Sequence, residues 1–459
     1  MSPIHDFATW VPVLRLLWES NAETLAEGGR VAGRIGSGSW SLPLRRRSPR
    51  TGRPARAEDM RAEFDAVDRV RDALAESGAD GVAFALRVDP AGRATLDLFG
   101  PGGAAEPGIG GPYPGDLLLV EGALAAPWRK PPDPVPDAVP APTADPGLLE
   151  RTLRAALPDT PGATEEEIAA AEARLGTVLP DELKAVYRVT RACWDDWKDD
   201  PETADRVFEA VDCELLALDH LYLADATSRP ARWEFAAMEA AVTGPDDRVQ
   251  GVVGSPGWIV FGDNGGGDRI AVDLTPGPRG YAGQIIMIGH EENIGAELLA
   301  DSLTDWVGGR RREERRNRRD RATPAVAYVN RSALPDVETA ADPLLEVLSI
   351  GVRDDEPVSL APVVGLPRLR TLSAYAGTLA DPLEIAGLTA LEFLELGPED
   401  WRTLLDAGAV PRGLLAAAIM VRYQPDLPPV VDLANEILGL FGRPPIPRTV
   451  REGDLGAEA

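Results

Sequence analysis

Apolar residues recur along this chain at different spacings, and each spacing predicts a different kind of element. In the first part, Trp10, Val13, Leu14, Leu17 and Trp18 follow the spacing of an amphipathic helix. A second helix is predicted with Phe64, Val67, Val70, Arg71 and Leu74 on one side, ending near Gly78. Residues 82–88 and 94–99 read as a β-hairpin turning at Asp89-Pro90-Ala91-Gly92, and 117–120 as a further strand. Between the two helices, residues 28–57 carry eight arginines and no acid, broken by glycine and proline. That stretch predicts strands with a basic loop around 45–56, either a solvated loop or a contact for an anion or a partner.

Residues 131–146, PPDPVPDAVPAPTADP, break every period. Such proline density predicts a semi-rigid extended spacer, with a docking segment for a proline-binding module as the competing reading. Helical spacing resumes at Leu148, Leu149, Leu153 and Leu157. Thr164 and Glu167 then form a Thr-x-x-Glu capping pattern, and Glu165, Glu166 and Glu167 suit the positive end of a helix running through Ile168 and Ala171 to Gly176. Pro180 suits the first position of the next helix, whose buried face is Leu183, Val186, Tyr187 and Thr190. Residues 218–223 lead toward a helix around Trp233, Phe235 and Met238, and a last helix is predicted over 295–307.

Between those helices lies WIVFGDNGGGDRIAVD, residues 258–273. It reads as two apolar strands, 258–261 and 270–274, around a polar glycine-rich turn, with a third strand at 284–288. Glycines there supply positive φ, and Asp263, Asn264 and Asp268 can bond their own backbone. A Walker phosphate loop needs Lys-Ser/Thr after the last glycine, where Arg269-Ile270 stands. A dinucleotide fingerprint needs a helix next, and a strand-like run follows instead. A calcium loop needs a ligand ladder closed by Glu, which is absent.

Beyond a charged stretch at 308–322, GGRRREERRNRRDRA, the chain shows an internal period. The stretch reads as a helical linker with i,i+4 pairs, or as a nucleic-acid contact. The frames Leu345-x-x-Leu348-x-Ile350, Leu369-x-x-Leu372-x-Ala374 and Leu391-x-x-Leu394-x-Leu396 follow one another, and Gly365-Leu366-Pro367 aligns with Gly387-Leu388-Thr389. This spacing resembles leucine-rich repeats, each placing one short strand on the next. Helices over 404–419 and 431–441 are predicted to close the array.

Composition narrows function. The chain has 459 residues and a net charge of −27, and 163–306 hold 29 Asp and Glu against 11 Lys and Arg, so most of the excess acid is there. That sign argues against nucleic acid and suits either a solvated surface or a basic protein partner. Two cysteines, Cys193 and Cys213, and three histidines leave little material for a disulfide framework, a metal centre or Ser-His chemistry. No apolar run is long enough to span a membrane, no leader is evident, and a cytoplasmic location is expected. Arginine far exceeds lysine, which suits a GC-rich bacterial genome. The candidate partner-binding residues are Trp194, Asp195, Asp196, Trp197, Asp199 and Asp200, two indoles set among acids, together with Asp263 and Asn264 in the glycine-rich turn.

The ordered set of a Thr-x-x-Glu-Ile helix, LPDELKAVYR, WIVFGDNGGGDRIAVDL and LADSLTDWV resembles the Smi1/Knr4 (SUKH) superfamily. The matching positions are Leu179, Pro180, Tyr187, Phe261, Gly262, Gly266, Gly267, Asp268, Asp273, Leu303 and Trp306. Where that family often has an Asn-Gly turn after its second helix, this chain has Arg191-Ala192-Cys193-Trp194. The resemblance implies an α+β domain without catalytic activity or cofactor. It implies in the first place a bacterial immunity protein that neutralises a polymorphic toxin, which the acidic balance would suit if the toxin is basic, with a cytoplasmic regulatory scaffold as the alternative. The chain is therefore expected to be multi-domain α+β: residues 1–130, a linker at 131–147, a SUKH-like mixed sheet with helices at 148–308, an Arg-rich linker at 309–335, a short leucine-rich-repeat-like solenoid at 336–445, and a tail at 446–459.

Overall fold

The structure, a computed structural model, describes residues 3–44, 57–106, 113, 115–193, 201–310, 323–353, 356–421 and 426–456. The basic loop at 45–56 and most of the Arg-rich stretch fall outside these residues. The fold is α+β, and the chain divides into two compact units. One comprises 1–123, 232–234 and 327–459, and the other 124–231 and 235–326. Among the described residues no helix is long and apolar enough to cross a membrane.

In the first unit the predicted N-terminal helix forms over Phe7–Ser20, capped by Asp6, which accepts from the Ala8 amide. Its Trp10, Val13, Leu14 and Leu17 are buried, and Trp10 meets Phe84 edge-on at 5.2 Å. With the helix Ala57–Ser77 it covers an antiparallel sheet in the order Arg448–Asp454, Arg93–Phe99, Gly81–Val88, Val31–Gly36, Trp40–Ser41. The first of these strands belongs to the segment expected as a tail. Its residues pair one-for-one with 93–99, and Arg448 bridges to Asp97 at 3.0 Å. Its side chains alternate between exposed and half-buried, so the strand is held by its backbone ladder and carries no apolar rhythm.

The 345–419 region builds parallel strands at Val347–Ile350, Thr371–Ala374, Phe393–Leu396 and Ala416–Ile419. Leu348, Leu372, Leu394 and Ala417 stand in line across them, as do Ile350, Ala374, Leu396 and Ile419, and all are buried. The repeating frame is therefore in phase in space. The helix expected over 404–419 is instead a helix at Pro398–Asp406 followed by that fourth strand. The reason is visible in Leu414-x-x-Ala417-x-Ile419, which repeats the frame with alanine in its middle. Helix Leu427–Leu440 covers the same core, and Leu117–Leu118 pairs antiparallel with Ala416 and Ala417. Residues from both ends of the chain thus share one core, where two separate domains were expected.

The second unit is an antiparallel sheet in the order Glu297–Ala300, Gln284–Ile288, Arg269–Asp273, Trp258–Asp263, Glu214–Leu215, with Tyr222–Leu223 also paired to Trp258–Asp263. Alternation decides its two faces. Ile259, Phe261, Ile270, Val272, Ile285 and Ala300 pack under the helices Pro146–Ala156, Glu165–Leu175, Asp181–Val189, Pro201–Val211 and Leu303–Val307. Trp258, Val260, Ala271, Ile286 and Ile288 face a second, smaller core with Ala224, Val249 and Val252. The capping box predicted at Thr164 and Glu167 is present, with both reciprocal bonds. Pro180 occupies the cap position rather than the first turn. The helix expected over 295–307 forms only at Leu303–Val307, because Glu297–Ala300 adds an edge strand that ends at Asp301-Ser302.

The proline-rich segment is not a free spacer. The Asp133 amide and carbonyl bond reciprocally to the Gln250 side chain at 2.7 Å each, the Ala282 amide donates to the Val139 carbonyl, and the Thr143 hydroxyl donates to Asp305. Proline removes amide donors, so the contacts fall on the residues between the prolines.

Candidate functional site

The glycine-rich hairpin is closed by bonds among its own residues. Asp263 Oδ1 accepts from the amides of Gly265 (2.7 Å) and Gly267 (3.3 Å). Asn264 Oδ1 accepts from the amides of Gly266 (2.8 Å) and Asp268 (3.1 Å), and its Nδ2 donates to Asp268 Oδ2 at 2.8 Å. Gly265 and Gly267 have φ of +78° and +94°, the left-handed values that glycine adopts without strain. The two polar residues predicted as partner contacts therefore hold the turn itself.

Register brings a second loop to this tip. Ile288 pairs with Arg269, so His290 arrives beside Asp268, whose Oδ1 accepts from the His290 amide at 2.9 Å and lies 2.7 Å from His290 Nδ1. Burial acts to raise the Asp268 pKa, but the bonds from His290 and Asn264 outweigh it and the net shift is downward. The bond to Asp268 raises the His290 pKa, with Asp268, Glu291 and Asp263 adding their negative charge. The His290 loop is also fixed from behind. Arg229, buried, donates to the carbonyls of Val253, Asn293, Gly295 and Gly289, each at 3.1 Å. Burial lowers its pKa to about 10.

Beneath the tip the strands are tightly fitted. A Cβ on Gly262 would lie 2.6 Å from the Cys213 sulfur, and burial pushes that thiol up to about 12, which leaves it unreactive. Asp273 is buried and accepts from the Thr275 amide and from Gln284 Nε2, and burial raises its pKa to about 6. Tyr187 donates to the Leu216 carbonyl, and the Trp306 indole to the Val211 carbonyl. Glu182, inside LPDELKAVYR, accepts from the amides of Leu303 and Thr304 at the start of the last helix. The separated motifs are thus physically joined.

Of the predicted partner residues, Asp263 and Asn264 lie at this tip, while Trp194, Asp195, Asp196, Trp197, Asp199 and Asp200 lie outside the described residues. Sequence reasoning missed Glu182, Arg229 and His290. The strand register could have found His290. Nothing in the local pattern marks Arg229. Among the described residues no group of three or more His, Cys, Asp or Glu side chains is placed to hold a metal ion.

Helices over one face of an antiparallel sheet, with a self-bonded Gly-Asp-Asn-Gly-Gly-Gly-Asp hairpin between its central strands, make this unit an α+β domain. Comparison places it in a family: residues 162–309 match the SMI1 / KNR4 family (SUKH-1), and this part of the chain is a SUKH domain. Similar curated proteins include a glucan synthesis regulatory protein of Neurospora crassa, 30% identical over 100 residues, covering 21% of this chain and 19% of that protein. Another is a cell wall biosynthesis/cell cycle regulator, smi1, of Schizosaccharomyces pombe, 43% identical over 63 residues, 14% of this chain and 12% of that protein. A KNR4/SMI1 homolog of Yarrowia lipolytica is 47% identical over 47 residues, 10% and 7% of the two chains. The chain spans less than a fifth of the length of these relatives.

Proposed function

We propose that this chain is a non-enzymatic, protein-binding regulator whose SUKH domain offers the hairpin end, with Glu214, His290, Glu291 and Glu292 at its rim, to a protein partner. The observation that carries this reading is the closed bonding of the hairpin. Asp263, Asn264 and Asp268 turn their acceptors onto neighbouring amides, which suits a preformed docking edge more than a reacting site. The names of the fungal relatives, regulators of glucan synthesis and cell-wall biosynthesis, favour a regulatory scaffold over an immunity protein. The in-phase leucines of the parallel strands support reading the C-terminal part as leucine-rich-repeat-like, a second surface for protein contact.

The test is charge reversal at the rim. Glu291→Lys with Glu292→Lys is expected to reduce at least several-fold the protein recovered with the tagged full chain from its native host, with thermal unfolding unchanged. Undiminished recovery would contradict the reading.

The immunity reading retains one observation in its favour, the acid excess of 163–306, which would draw in a basic toxin. It requires a partner that arrests growth when expressed alone and is harmless beside this chain. A non-toxic partner leaves the regulator.

A further inference from the structure

Residues 124–145 precede the stretch that matches the SUKH family, yet they are tied into the same unit along their length. Helix Ala126–Arg129 places Trp128, buried, with its indole N–H donating to the Arg229 carbonyl at 2.5 Å. Lys130 Nζ donates to the Ala241 carbonyl at 2.7 Å. Asp133 and Gln250 bond reciprocally, and the Gln250 side chain also reaches the Thr275 and Pro276 carbonyls at 3.2 Å. Farther on, Val139 is held by the Ala282 amide, and the Asp145 amide donates to Thr304 Oγ1 at 3.1 Å.

The first of these ties has a consequence for the candidate surface. Trp128 fastens the backbone of Arg229, whose side chain gathers the carbonyls of Gly289, Asn293 and Gly295. Those three carbonyls flank His290, Glu291 and Glu292. The guanidinium is a planar fork whose donors point in fixed directions, so the position of its main chain decides where the loop sits. Removing the indole N–H would leave a buried carbonyl unpaired and free the 226–229 turn, which Asp225 otherwise caps through the Thr227 and Ser228 amides. The path is Trp128, Arg229, loop 289–295, Asp268 and the hairpin, and each step is a hydrogen bond.

We infer that 124–145 is a strap belonging to the SUKH domain, and that Trp128 and Arg229 are positioning residues that set the loop carrying His290 against the glycine-rich hairpin. The inference deepens the proposed function, since it assigns the order of the docking edge to a segment outside the family match. Its test involves no partner.

The experiment is amide hydrogen exchange on the full chain, resolved by peptide, with NMR titration of His290, one of three histidines in the sequence. Trp128→Phe keeps an aromatic ring and removes the donor. Exchange over 289–295 is expected to rise about tenfold, the factor that loss of roughly one buried hydrogen bond gives. Strand Gln284–Ile288 and helix Asp181–Val189 should keep wild-type protection, and the His290 pKa should fall toward its ordinary value. Arg229→Lys, which keeps the charge and loses the fork, should give the same local signature and serves if Trp128→Phe does not fold. Unchanged exchange at 289–295, or an equal rise across strand and helix, would overturn the inference. A partner that never meets the hairpin end would leave these exchange results standing, so the two readings fail separately.

Discussion

At the scale of single residues, the domain's motif letters have specific physical duties. Gly262 is glycine because Cys213 leaves no room for a methyl group. Gly262→Ala is predicted to cost ~1–3 kcal/mol in urea unfolding, and Cys213→Ala in the same chain to recover part of that loss. Additivity of the two changes would show that the close approach is not the reason. In the first unit, Asp116 is buried with Oδ2 unpaired, and burial with Glu106, Glu395 and Glu234 nearby raises its pKa from 3.8 to about 8. The folded chain then holds a proton that the unfolded chain releases above its own lower pKa. The stability tied to that proton is full below pH 3.8 and is lost as pH rises through about 8. Wild type is therefore predicted to be less stable at pH 8 than at pH 5, and Asp116→Asn to show a shallower loss by denaturant unfolding. Equal slopes would contradict this. The sequence made the turn-forming role of Asp263, Asn264 and Asp268 legible, since those residue types among glycines bond their own backbone. It hid the need for Gly262, because the opposing sulfur comes from a distant part of the chain.

At the scale of elements, period was a sound guide wherever one face is apolar. The helix Phe7–Ser20, the hairpin Gly81–Val88 with Arg93–Phe99, and the strands on either side of the glycine-rich turn all follow their patterns. The failures share a cause. Arg448–Asp454 has no apolar face, Ala416–Ile419 carries alanines that suit helix or strand, and Glu297–Ala300 continues directly into the last helix. In each, tertiary pairing decided what local propensity left open. The tie between Glu182 and the start of Leu303–Val307 is of the same long-range kind. Glu182→Ala orphans two amides and is predicted to cost ~1–3 kcal/mol, with hydrogen exchange rising first at 303–307. Protection there equal to wild type would show that Ser302, which accepts from the Asp305 amide, suffices alone.

At the scale of the molecule, the chain's two ends complete one unit, and the SUKH unit begins ahead of its family match. Neither could be read from composition, because the proline-rich segment looks like a spacer and the last residues like a tail. What seats them is backbone pairing and reciprocal side-chain bonding, for which linear sequence carries no period. Deleting 446–459 is predicted to raise hydrogen exchange over 93–99 while leaving 258–273 protected; unaltered exchange at 93–99 would refute the structural role of the last strand. The proposed function puts a protein partner at the hairpin end of the SUKH domain. The most direct measurement is site-specific photo-crosslinking of the full chain in its native host, with the reactive group placed in turn at Glu291 and at Val450. The expected result is one common partner captured from Glu291, lost with Asp268→Ala, and not captured from Val450. Capture from Val450 alone, or none from Glu291 under conditions where a partner co-purifies, would contradict it.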